Sequence, residues 1–139
     1  MKTIYYLFLM VLILISDFSC NNARRIASDK PKPEIQFGKT GGFTNIPDEY
    51  IINEKGVVFK ISGDESTKIN DISKKRMKTI VKLINDLDFE HIEINEPGNI
   101  SYFIRVITSE YENKVIWNDL SSNDPVKNLY KELQTTIIP

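Results

Sequence analysis

One cysteine, one histidine and one tryptophan are all that 139 residues provide, and each scarcity removes a class of chemistry. A lone thiol cannot close an internal disulfide. A lone imidazole, His91, excludes a two-histidine metal site and a second histidine base. Glu90, Glu93 and Glu96 lie near it in sequence. On a strand, however, His91 and Glu93 would share one face and Glu90 the other, so a solvated polar face is expected and no metal. Charge of one sign is lacking too. The formal net charge is −1, whereas nucleic-acid binding needs a basic surface that releases counterions. No serine sits in a Gly-x-Ser-x-Gly elbow, and Gly63-Asp64-Glu65-Ser66 lacks the spacing of a calcium loop. Asp86 and Asp88 read as caps or loop solvation around a helix end rather than as a catalytic carboxylate pair.

A long apolar stretch is missing as well, and the one that exists is informative. Lys2 precedes the apolar run 4–15, twelve residues against the roughly 20 needed to cross a bilayer. Such a run is the core of a signal peptide. It closes on Ser16-Asp17-Phe18-Ser19-Cys20, with Asn21-Asn22 following. The only cysteine therefore stands where a bacterial lipoprotein signal is cleaved, and Cys20 is expected to become the lipidated first residue. The box is a relaxed one, with Asp17 and Phe18 before Ser19, and resembles those of Bacteroidota. A plain secretory signal is the alternative. One acyl chain, at about 0.8 kcal/mol per buried methylene, holds a protein only marginally, whereas two make a stable anchor.

Cleavage after residue 19 removes one lysine, Lys2, and one aspartate, Asp17, so the net charge stays at −1. Arg24, Arg25, Lys30 and Lys32 then face only Asp29 in the first mature residues. That segment reads as a solvated tether kept extended by Pro31 and Pro33, with contact to anionic headgroups as the alternative. The expected organisation is a signal peptide over 1–19, a lipid-anchored flexible tether over 20–33, and one α+β domain over 34–139.

Gly38-Lys39-Thr40 mimics the end of a nucleotide-binding P-loop. The first glycine of that motif would fall on Pro33, and Gly41-Gly42 follows where a helix should start. No nucleotide and no cofactor are expected. Residues 34–39 instead alternate as a half-buried strand that leads into a glycine-hinged loop presenting Phe43 and Thr44. Asn53-Glu54-Lys55-Gly56 joins two strands as a hairpin, and 63–71 is polar and reads as a loop. An amphipathic helix starts at Asp71 or Ser73, with Met77, Ile80, Val81, Ile84 and Leu87 on its apolar stripe. Residues 90–94 suggest a short strand, and Asn95-Glu96-Pro97-Gly98 a tight turn. Strands over 100–108 and 114–117 follow. Trp117 is assigned to the core, with a binding platform as its alternative. Asp124 caps a last helix with Pro125 in its first turn. The expected architecture is an antiparallel sheet of four to five strands with two helices packed on one face, in the order βββα(β)ββα.

The strand leading into Gly41-Gly42-Phe43-Thr44, the helix ending near Leu87 with Phe89, Ser101-Tyr102-Phe103, and a final helix carrying Pro125, Leu129 and Leu133 together resemble the emfourin family over most of 34–137. Members are small α+β proteins, and the characterised kind inhibits thermolysin-like zinc metallopeptidases. Asn45 stands where the family tends to have a second small residue, and a lipoprotein signal is foreign to the cytoplasmic inhibitor. The chain is also similar to Bacteroidota lipoproteins that share the Gly-Gly-Phe-Thr and Pro-Gly-Asn segments. The resemblance implies a non-catalytic protein-binding domain.

Its contact residues would be Gly41, Gly42, Phe43 and Thr44 with Pro97, Gly98 and Asn99, and its partner an exported peptidase or other envelope protein. A tight turn with Phe43 folded into the core is the alternative for the loop. For the whole protein the alternatives are a structural envelope lipoprotein and, third, a small hydrolase. The expected location is the cell envelope, anchored to the membrane through lipid on Cys20 and facing the periplasm. Labelled fatty acid should enter the wild type and not Cys20→Ala; equal labelling of both would remove the anchor.

Overall fold

The computed structural model describes residues 32–43 and 46–138. The expected signal peptide, Cys20, the expected tether through Pro31, and Thr44 lie outside them. Six strands and two helices follow in order: β1 (Glu34–Gly41), β2 (Asp48–Ile52), β3 (Val57–Ser62), β4 (Glu65–Asp71), α1 (Lys74–Asp86), β5 (Ile100–Ile107), β6 (Glu112–Asn118) and α2 (Asp124–Gln134), with a single 3-10 turn at Phe89–His91 after α1. The strands form one sheet in the order β4-β3-β2-β1-β5-β6. Every pairing is antiparallel. β1 is central, hydrogen-bonded to the β2–β4 meander on one side and to the β5–β6 hairpin on the other.

Side-chain alternation divides the sheet faces. Cross-strand partners such as Phe37 with Tyr50 and Ile104, or Ile35 with Ile52 and Val106, share a face. All six are buried. They form one cluster with Val58, Val115 and Trp117, with Met77, Ile80 and Ile84 of α1, and with Val126, Leu129, Tyr130 and Leu133 of α2. Each such large side chain taken from water contributes about 1.5–3 kcal/mol. Helix α1 begins where the Ser73 hydroxyl accepts from the Arg76 amide at 3.1 Å, satisfying a donor that the first helical turn leaves free. Arg76 then reaches Glu132 of α2 at 2.8 Å and ties the helices together. The opposite sheet face carries the half-buried Ile51, Phe59, Ile107 and Ile116 around the buried Phe103, whose ring lies 4.7 Å from the Lys114 ammonium.

Several expectations need correction. The sheet has six strands rather than four to five, because residues 65–71 form β4 and not a loop. β4 is an edge strand, with Glu65, Ser66, Thr67 and Lys68 all exposed. Polar side chains on such an edge discourage further strand addition; they also erase the alternation by which a strand is recognised. Residues 90–94 are not a strand. Phe89 is buried at the 3-10 turn, and the extended segment after it contributes only a bridge from Asn95 to Ile116 of β6. Residues 95–98 form no turn, and the Glu96 amide donates to the Ile116 carbonyl of β6 at 2.9 Å. Asn123, not Asp124, occupies the cap position of α2, while Pro125 does lie in its first turn.

Gly38 of β1 has no room for a side chain, since a Cβ there would come within 2.3 Å of the Asp48 carbonyl oxygen. Gly38→Ala should therefore lower stability by about 1–3 kcal/mol through overpacking. Ser73→Ala should cost about 1 kcal/mol through loss of the cap. Urea denaturation of both variants checks the order; a neutral Gly38→Ala would contradict the close β1–β2 approach.

Candidate functional site

Three connections meet at one end of the sheet: the loop after β1, the segment before β5, and the loop after β6. Gly41 pairs with Ile100 at the last position of the β1–β5 ladder. Gly41 and Gly42 then take φ of +91° and +77°, in the region that side chains disfavour. The Gly42 amide donates to the Asn99 carbonyl at 2.8 Å. A Cβ on Gly41 would come within 2.2 Å of that same oxygen, so glycine is required for shape and for proximity. Two segments singled out separately in the sequence, Gly41–Phe43 and Pro97–Asn99, are thus brought together. Phe43 does not fold into the core; its relative exposure is 107%.

The Pro97–Asn99 segment is held from its other side by β6. Asn118 Nδ2 donates to the Glu96 carbonyl at 3.0 Å. The Gly98 amide donates to Ser101 Oγ, also at 3.0 Å. Asn118 in addition shapes the next loop, because its Oδ1 accepts from the Leu120 amide at 2.8 Å and its carbonyl accepts from the Ser121 amide at 3.2 Å. This side-chain turn leaves Leu120 92% exposed. Ile46, between β1 and β2, is exposed to 73%. Sequence reasoning missed both residues. A single apolar residue among the turn formers Asn118, Asp119, Ser121 and Ser122 was the available signal.

Behind these tips, on the face that carries the core, lies a cavity of about 330 Å³ whose lining includes Lys39, Tyr102, Trp117, Tyr130, Lys127 and Lys131. Tyr102 stacks on Trp117 with centroids 5.9 Å apart, and Tyr130 meets both rings edge-on at 5.6 and 5.3 Å. Trp117 keeps only 2% of its surface, so its main role is packing. Burial, followed by hydrogen bonding to Asp119, raises the Tyr102 phenol. Burial likewise raises Tyr130. Tyr50 is pushed up to about 12 by burial and by Asp48, which accepts from its hydroxyl at 2.8 Å. These phenols stay neutral at neutral pH and serve as hydrogen-bonding groups. A second cavity, of about 390 Å³, lies between the helices and is lined by Leu83, Leu87, Pro125, Leu129 and acidic Asp86 and Glu132.

His91 is far in kind from these sites. It sits exposed in the 3-10 turn, with Nδ1 2.9 Å from Asp88 Oδ1. Asp88 is the one non-glycine residue with positive φ among the described residues. Asp86 pairs with Lys82. Among the described residues no three His, Cys, Asp or Glu side chains gather as a metal site. No family model matches the chain, and no curated protein matches it either.

The hydrogen bond to Asp88, then the charge of Asp88, then that of Glu90 raise the His91 pKa. The paired form favours the folded state below the ordinary histidine pKa, and this contribution disappears as pH rises through the raised value. An NMR titration should find His91 above the ordinary histidine value and Asp88→Asn lowering it; an unchanged value in the variant would refute the pairing.

Proposed function

We propose that the protein is a membrane-anchored bacterial lipoprotein whose domain is non-catalytic and binds an exported peptidase or other envelope protein at the loop end of its sheet. The observation that carries this reading is Phe43, fully exposed on a glycine hinge whose backbone is fixed to Asn99. An aromatic side chain displayed on a preformed support is a suitable interface anchor, because little further ordering opposes association. Leu120, from the loop after β6, and Ile46, from the same connection as Phe43, provide further apolar contact.

Lipid on Cys20 would hold the protein to the membrane, facing the periplasm. Blocking a peptidase cleft, as the emfourin resemblance implies, is the specific form of this activity. It needs a loop whose shape is held before binding.

Co-purification of the full-length protein from detergent-solubilised envelopes is the test. Phe43→Ala should weaken recovery of a defined partner by roughly 30-fold, the equivalent of about 2 kcal/mol, with stability unchanged because the ring packs against nothing. Gly42→Val should weaken it by forcing the hinge out of the left-handed region. Identical partners at identical affinity from both variants would reduce the loop to a turn.

A further inference from the structure

We infer that the cavity lined by Lys39, Lys127 and Lys131 accepts a carboxylate, and that this carboxylate belongs to an acidic side chain in the partner segment that meets Phe43 and Leu120. The assignment rests on the partner reading above and gives that partner its chemistry. Lys127 and Lys131 stand four residues apart on α2, hence on one helix face, and Lys39 closes the cavity from β1. Among the described residues none of the three forms an ion pair. Asp48, opposite Lys39 in the β1–β2 register, is occupied by the Tyr50 hydroxyl and by the Lys60 ammonium at 3.5 Å. Asp119 is the one acidic residue lining the cavity.

Three lysines against one aspartate therefore line a single small space in a protein whose overall net charge is −1. An entering anion is attracted by all three. A peptide carboxylate fits better than a lipid headgroup because of what adjoins the cavity, which lies on the row Lys39, Tyr102, Trp117. It is also contiguous with the apolar tips: Asp119 immediately precedes Leu120, and Lys39 stands four residues before Phe43. The favoured ligand is a segment with an acidic residue beside apolar ones.

Trp117 is the chain's only tryptophan, so its emission reports on the cavity in the full protein purified in detergent. Titration with acetyl-Ala-Leu-Glu-Leu-Ala-amide should give a saturable change. The counterpart peptide with glutamine for glutamate should bind at least about tenfold more weakly, as should the glutamate peptide to the Lys127→Gln/Lys131→Gln variant, reflecting lost charge-assisted hydrogen bonds. Lys74→Gln, on exposed α1 surface, should bind as the wild type does. Equal affinity for both peptides, no saturable change with either, or an equal or stronger response to inorganic phosphate or to phosphatidylglycerol vesicles would overturn the assignment. Failure here, with partner recovery still dependent on Phe43, overturns the cavity assignment alone; loss of the Phe43 dependence overturns the reading beneath it and this one together.

Discussion

The double register of β1 is the constraint on which the rest of the molecule depends. One strand hydrogen-bonds to β2 along residues 35–39 and to β5 along residues 34–41, so the meander and the hairpin have no other common element in the sheet. That register faces Ile35 and Phe37 to the core. Phe37 stacks on Tyr50 at 5.6 Å and meets Tyr130 of α2 edge-on at 6.2 Å. Because alternation has a period of two, a slip by one residue would send the whole apolar set of β1 to the opposite face. Gly38 strengthens the constraint, since only a residue without a side chain lets the Asp48 carbonyl come so close.

The same register sets the geometry of the loop end. With β1 in place, Gly41 is opposite Ile100, and the next amide finds the Asn99 carbonyl. Asn118 passes the restraint on to the third connection, with bonds to Glu96, Leu120 and Ser121. Phe43 and Leu120 consequently project from backbones that are tied down. The row of Lys39, Tyr102 and Trp117 is likewise a register product, which is how a lysine of the first strand comes to line the same cavity as two lysines of the last helix. Packing energy thus supports display: residues buried along β1 hold in place a surface that buries nothing of its own.

How much of this was legible in the sequence depends on whether local pattern carried the information. The hairpin at Asn53–Gly56, Ser73 as one of the two caps offered for α1, the apolar stripe of α1 and the α+β class follow from short-range periodicity and turn chemistry, and the α+β class with an antiparallel sheet holds. Edge strand β4 was hidden because a polar edge has no apolar alternation to display. The stretch 90–94 misled in the opposite sense: Ile92 and Ile94 alternate like a strand, yet the 3-10 turn buries Phe89 and leaves only the Asn95 bridge to β6. The grouping of Leu120 with Phe43 and the three-lysine cavity were beyond reach for another reason. Their meaning lies in which loops share an end of the sheet, and that is fixed by long-range pairing rather than by neighbours in sequence.

The central claim is that the Gly41–Gly42 hinge carrying Phe43 holds its shape in the free protein, and amide hydrogen exchange measures it directly. The Gly42 amide, bonded to Asn99 at 2.8 Å, should exchange at least about a hundredfold more slowly than an unstructured glycine, in step with the opening of the β1–β5 ladder. Exchange of Gly42 at the unprotected rate, with β1 itself still protected, would contradict the account.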